Sequence, residues 1–246
     1  MCKKKKIGNI FINVFNSRQA VADALDRRIK NKQKVNLYFL NDHGFNIAQR
    51  DEQYRDILNR ADYLLNDGIG IKLGAKVWGI SLKQNLNGTD LIPIILKRCE
   101  ANNIAVFLLG SSETAVRVAA HQIGRMYGHL RIAGFHHGYF TSPHAMLQQI
   151  NASGAGVLIV GMGMPLQEKF IDTYSDELQP SLRIAGGGYI DFASGMKPRA
   201  PKLIRRLNLE WLFRMILEPK RLWKRNVIGH LAFFIRIFSL KYRSNR

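Results

Sequence analysis

Short apolar runs recur along the first three quarters of the chain, and helical patterns separate them. "VNLYFL" (35–40), "ADYLL" (61–65), "IAVFLLG" (104–110), "LRIAGF" (130–135), "GVLIVGMG" (156–163) and "LRIAGGG" (182–188) are near-continuous rather than alternating. Strands covered on both faces have this character. Nearer the N-terminus, "IGNIFINVF" behind "KKKK" reads as a first strand. Of the helical stretches, "SRQAVADALDRRIKNK" opens on Ser17 as N-cap, and "SSETAVRVAAHQIGRMYG" on Ser111 or Ser112. "SPHAMLQQINAS" puts Pro143 in the first turn after Ser142, and "PLQEKFIDTYSDEL" starts at Pro165 after a glycine-containing strand exit. Alternation of this kind predicts an α/β fold with a mostly parallel sheet. Ligands of such sheets bind in crevices at the strands' carboxyl ends.

The pattern changes near Gly195. Beyond it, Pro198, Pro201 and Pro219 divide the chain into two or three short amphipathic helices, so residues 1–194 read as the body and 195–246 as an appendage. The 246 residues, 46% of them hydrophobic, suffice for one sizeable core plus such an appendage. Charge sharpens the division. Of the net +19, the segment 195–246 carries +12, from fourteen Lys or Arg against Glu210 and Glu218. Trp211, Phe213, Trp223, Phe233 and Phe234 lie among these charges. A solvated basic face is the ordinary meaning of such charges, but aromatic residues opposite Lys and Arg describe a helix at a lipid interface. Each basic residue near an anionic membrane contributes about 1 kcal/mol. "NVIGHLAFFIRIFSL" contains His230 and Arg236 and falls short of the roughly 20 apolar residues that a span needs, so it suits lying on a bilayer rather than crossing it. A nucleic-acid arm is the competing explanation. Charge alone favours it, with no helix-turn-helix, zinc or RNP signature. Cys2 and Cys99, the only cysteines, make neither a disulfide framework nor a metal-ligand spacing, which points to a reducing cytosol.

Unusual residues fall where the strands end. "LLNDGIG" places Asp67 after a strand; it is either an Asp-Gly turn or a carboxylate at a crevice rim, able to take a proton from an attacking hydroxyl. "VFLLGSSET" presents Gly110 and Ser111 before a helix, for plain capping or for a phosphate or polar ring edge at free N–H groups. No Gly-Lys-Ser/Thr follows, so it is no Walker loop. "VGMGMPLQEKF" has Gly161 and Gly163 but lacks the third glycine of the dinucleotide fingerprint, which counts against an NAD-dependent oxidoreductase. Gln167 and Glu168 open the following helix, as a helix start with a well-placed acid or as polar groups gripping a sugar or nucleotide. "AGGGYIDFASG" sets three glycines before Asp191, as a tight loop or as a close backbone approach to a ligand. Histidine spacing fits no metal motif, and no nucleophile elbow is present.

Taken in order, "FLNDHGFNIAQRD", "ADYLLNDGIGI", "LNGTDL", "VFLLGSSE", "GYF", "VGMGMPLQEKFI", "GGGYIDFASGMKPRAP" and "LEWLFRMILEPKRLWKR" resemble the WecG/TagA/CpsF family of bacterial glycosyltransferases (family twenty-six) over nearly the whole chain. The resemblance implies a Rossmann-like, mostly parallel α/β body with helices on both faces, of GT-E type, plus a basic amphipathic helical C-terminal appendage that approaches the membrane. It implies inverting transfer from a UDP-sugar to a polyprenyl-diphosphate-linked saccharide at the cytoplasmic face of the membrane, in surface polysaccharide assembly. Donors of the N-acetylmannosamine, N-acetylmannosaminuronate or glucose/glucuronate type all fit. The family's proposed base falls on Asp67 and its crevice asparagine on Asn41. Asn87 and Thr89 fall in the "NGTD" block. Gly110, Ser111, Gly163, Gln167, Glu168 and Asp191 match substrate-binding blocks. Arg199, Arg214, Arg221 and Arg225 match appendage arginines suited to a diphosphate. Many members carry an arginine where this chain has Asn85, and "LNGTD" is closer to the exopolysaccharide branch. No cofactor and no metal are expected, an anionic membrane surface is the expected partner rather than nucleic acid, and a homo-oligomer stays open.

Overall fold

The computed structural model describes residues 3–31, 33–206 and 209–244 and, at 202, 206, 221, 224 and 225, the backbone alone. The expected first strand is in fact two, β1 (Lys3–Ile7) and β2 (Ile10–Val14), paired as an antiparallel hairpin. Gly8 turns it at φ +61, which explains the break: a two-residue Gly-Asn loop suits a hairpin turn. The body then alternates α1 (Arg18–Lys30), β3 (Val35–Leu40), α2 (Asp42–Ala48), α3 (Glu52–Arg60), β4 (Tyr63–Asn66), α4 (Gly68–Val77) and α5 (Gly88–Ala101). It continues through β5 (Val106–Gly110), α6 (Glu113–Met126), β6 (Ile132–His136), α7 (Pro143–Ala152), β7 (Val157–Gly161), α8 (Leu166–Thr173), β8 (Leu182–Ala185) and α9 (Tyr189–Ala193).

The main sheet has six parallel strands in the order β4-β3-β8-β7-β5-β6, with helices on both faces. Successive side chains of a strand point to opposite faces. Tyr38 and Leu40 of β3, like Phe107 and Leu109 of β5, therefore join one core layer with Phe45, Tyr54, Ile71 and Phe170. Leu37, Phe39, Val106 and Leu108 join the other, with Leu25, Leu91 and Val116. Both layers are apolar, which is why the strands read as continuous rather than alternating.

The exits of β3, β4 and β5 lead within three residues into helices α2, α4 and α6. Asn41 caps α2, its side chain accepting from the Gly44 N–H at 2.9 Å, and Asn87 caps α5 through the Asp90 N–H at 2.8 Å. Ser112, rather than Ser111, caps α6. Ser111 sits at φ +57 and donates its hydroxyl to Asp191 instead.

The tail holds three short helices, α10 (Lys202–Arg206), α11 (Glu210–Leu217) and α12 (Pro219–Trp223), then a π-helical turn (Lys224–Ile228) and one longer helix, α13 (Gly229–Ser244). One face of α13 enters the body's core. Phe233 and Ile237 are fully buried, Phe233 meets Phe45 edge-on at 5.1 Å, and a Cβ on Gly74 would lie 2.7 Å from its ring. Asn46 donates to the Gly229 carbonyl at 2.7 Å and pairs with Arg236, pinning α13 to α2. The opposite face leaves Leu231, Ile235, Phe238 and Tyr242 exposed. No described helix is long and apolar enough to cross a membrane.

Candidate active site

Two cavities meet at the carboxyl ends of the sheet. The larger, about 710 Å³, runs along the exits of β5, β7 and β8 and is lined by Ser111, Gly163, Gln167, the glycines 186–188, Asp191 and Lys197. The smaller, about 180 Å³, lies beneath α11 and is lined by Arg18, Asp42, Asn85, Asn87, Asp90, Arg205, Glu210, Trp211 and His230. Asn41, His43, Asp67, Thr89, Phe192 and Arg214 line both. A hollow of about 850 Å³ beside the hairpin and α1 contains none of the expected site residues.

Asp67 follows β4 directly and stands at the N-cap of α4, yet its side chain makes no capping bond. The turn is held by other groups. The Asp67 N–H donates to the Leu40 carbonyl at 2.8 Å, and the Gly68 N–H donates to the Asn85 side chain at 2.9 Å. Gly68 takes φ +88, where a side chain would strain. The carboxylate is thereby left to the cavities. Burial, then the nearby charges of Glu210, Asp42 and Asp90, raise its pKa to about 7 against the opposing pull of Arg214. A carboxyl that titrates near neutrality is suited to general-base work.

Arg214 lies over the Phe192 ring at 5.3 Å and reaches both cavities, which, among the described side chains of the expected arginines, Arg199 does not. Arg199 is engaged elsewhere, bonding Asp90 at 2.8 Å and approaching Glu210 at 3.5 Å, and lines neither cavity. The side chains of Arg221 and Arg225 lie outside the described residues. Gln167 is fully buried between functions: its amide donates to Glu168 at 2.8 Å, and its carbonyl accepts from the Gly187 N–H at 3.0 Å, which fixes the glycine loop lining the larger cavity. Glu168 lies behind that wall with no exposure, and burial raises its pKa to about 7. Gly110 also lies beneath the surface. At φ +137, its Cβ would come within 2.4 Å of the Gly161 backbone, so the two strand ends close together under the crevice. Asp191 accepts from Ser111 and pairs with Lys197 at 2.8 Å, placing a cation at the larger cavity that sequence reading passed over.

Arg18, Arg205, Asp42 and His230 were likewise not singled out. Arg18 and Arg205 converge on Asp90, at 2.8 and 3.5 Å, from opposite ends of the chain. Asp42 pairs with Nδ1 of His230.

The description "Glycosyl transferase WecG/TagA/CpsF family" matches residues 6–246. The chain belongs to this family. It is also 33% identical, over 178 residues, to the N-acetylglucosaminyldiphosphoundecaprenol N-acetyl-beta-D-mannosaminyltransferase of Bacillus subtilis (strain 168), covering 72% of this chain and 69% of the relative. The similarly named enzyme of Staphylococcus aureus (strain NCTC 8325 / PS 47) is 29% identical over 195 residues, covering 78% and 76%. Membership makes the protein a glycosyltransferase, and it gives the cavities above the standing of a candidate transferase site.

Proposed function

We propose that this glycosyltransferase moves a sugar from a UDP-linked donor in the larger cavity to a polyprenyl-diphosphate-linked saccharide whose terminal ring enters the smaller one. The observation that carries the reading is the position of Asp67, a near-neutral carboxyl on the shared wall of both cavities. The volumes agree with the assignment. About 710 Å³ lies within the roughly 300–1,000 Å³ range of pockets for extended small molecules, and about 180 Å³ has room for a single ring. The acceptor class follows the relatives, whose names specify an N-acetylglucosaminyl-diphosphoundecaprenol substrate.

In the proposed step Asp67 takes the proton of the acceptor hydroxyl as its oxygen attacks the anomeric carbon. The bond from that carbon to the UDP oxygen breaks on the opposite face, so configuration inverts. UDP leaves with the bonding electron pair, and Arg214 and Lys197 offset the charge that develops on it. Asn41 and Thr89 border both reactants, and Ser111, Gly163, Gln167 and Asp191 border the donor. Activity is expected without an added divalent cation; loss with chelator and rescue by Mg²⁺ or Mn²⁺ would refute that part.

We further propose that residues 195–246 seat the enzyme on an anionic membrane surface. Leu231, Ile235, Phe238 and Tyr242 form an outward apolar row on α13, with Trp223 also exposed, in a segment rich in Lys and Arg. Such a face binds the headgroup boundary through buried apolar area and electrostatic attraction together. Flotation with anionic vesicles, but not with duplex oligonucleotide, is the expected result. The transfer reading is tested by UDP release from a panel of UDP-sugars with a polyprenyl-diphosphate-N-acetylglucosamine acceptor. Acceptor-dependent release with one donor, lost in Asp67→Ala while donor binding persists, is expected; release unchanged by that substitution would move the base elsewhere.

A further inference from the structure

One residue that lines the smaller cavity carries a buried ring nitrogen with no hydrogen-bond partner. His230, near the start of α13, lines that cavity, and its Nδ1 contacts the Asp42 carboxylate. Its Nε2 is buried and unpaired. The ring cannot swing freely. Trp211 packs edge-on against it at 4.9 Å, and Asn46 holds the adjacent Gly229 carbonyl at 2.7 Å. Asp42 is equally fixed, since a Cβ on Gly70 would lie 3.1 Å from the Asp42 Cβ, so its side chain lies against the first turn of the helix that Asp67 begins.

A carboxylate only accepts, so Nδ1 must carry the proton that it donates to Asp42. In the neutral ring, Nε2 is then an acceptor. Leaving a buried acceptor unmade is costly, and the paired arrangement is kept where something completes it. Nε2 has no accessible surface as it stands, so a sugar hydroxyl that donates the missing bond must shift the side chains covering it, the Trp211 ring among its contacts.

We propose that His230, oriented by Asp42, accepts a hydrogen bond from a hydroxyl of the acceptor sugar other than the one Asp67 deprotonates, and so selects the acceptor and sets its register. This rests on the transferase reading above and adds a named contact to it. His230 belongs to the tail and lines the smaller cavity but not the larger, so its effect falls on acceptor and not on donor.

The test is a cycle of enzyme variants against acceptor analogues, each lacking one hydroxyl of the terminal N-acetylglucosamine. With the full acceptor, His230→Ala lowers kcat/KM for acceptor by about 10–100-fold and leaves donor KM unchanged. With the one deoxy analogue that lacks the partner hydroxyl, wild type already shows that loss and His230→Ala adds nothing further. Asp42→Ala, which removes the carboxylate that orients the ring, lowers kcat/KM for the full acceptor in the same direction. His230→Gln serves if His230→Ala fails to fold. A structural role alone would lower activity equally on every analogue, and that result overturns the inference while leaving the transferase reading intact. Wild type that transfers to no polyprenyl-diphosphate acceptor overturns both.

Discussion

Asp67→Asn replaces a titrating carboxyl by a neutral group of the same shape, so its effect on stability must change with pH. The folded carboxyl titrates at about 7, against an ordinary 3.8, chiefly because it is buried and next because Glu210 is near. A folded pKa above the unfolded one means that the native state binds more protons between pH 4 and 7, and wild type loses stability as pH rises through that window. The three-unit difference corresponds to about 4 kcal/mol at 1.36 kcal/mol per unit. Its side chain keeps partial exposure at the cavity wall, so about 4 kcal/mol is the ceiling. Asp67→Asn should therefore match wild type near pH 4 and exceed it by about 2–4 kcal/mol at pH 8.5, or about 4–16 °C in Tm for a chain of this size. The same substitution removes the proposed base, so turnover should fall at least ~100-fold. Wild-type kcat/KM should rise about tenfold per pH unit on its acid limb and level off near pH 7. Thermal unfolding of both proteins across pH 4.5–8.5, beside a pH–rate profile, measures each limb. Equal stabilisation at both ends, with a rate plateau reaching down to pH 5, would show an ordinary carboxylate and refute the reasoning.

Gly110→Ala should cost more than about 3 kcal/mol, because its Cβ would enter the Gly161 backbone at a φ of +137; unchanged unfolding would contradict the close strand approach. Glu168→Gln should retain activity within about threefold, because the side chain is behind the cavity wall, and should raise Tm above pH 7 by the same linkage as at Asp67; a large kcat loss would put Glu168 in the chemistry. Arg214→Ala should lower kcat by about 100-fold, with partial recovery in Arg214→Lys, as read from UDP release at saturating donor. On α13, Phe233→Ala should cost about 3–5 kcal/mol, whereas Ile235→Asp with Phe238→Asp should leave Tm within a few degrees and abolish vesicle flotation; the opposite pattern would invert the two faces.

The strands were legible because both faces of the sheet are covered, leaving nothing polar to break runs such as Val157–Gly161. The hairpin was not, since Gly8 and Asn9 look like a flaw inside one strand until the register pairs Ile7 with Ile10. Asp67 was visible through its position after a strand and before glycine. Residues joined only by tertiary structure were not. Arg18 looks like any first-turn helix residue, and its bond to Asp90 depends on packing α1 beside α5. His230 in sequence merely interrupts an apolar segment; its meaning comes from Asp42, 188 positions earlier. Local pattern reports caps and periods, whereas a charge's partner across the fold leaves no mark in the surrounding residues.

The tail's contribution to the site is electrostatic as well as mechanical. Glu210 and Arg214 are four residues apart on α11, which places them on one face of the helix, and that face closes the smaller cavity. They act on Asp67 in opposite senses, with Glu210 the stronger. In the proposed mechanism, Glu210 helps to hold Asp67 near neutrality, where it can both take and release a proton, while Arg214 supplies positive charge beside the departing diphosphate. Burial, the largest influence on Asp67, also depends on α11 lying over the cavity. A body without a seated α11 would expose Asp67 to water and remove both neighbours, returning it toward an ordinary carboxylate that is a poorer base. If membrane contact through α13 secures that seating, competence for transfer and arrival at the lipid-linked acceptor are tied to the same segment.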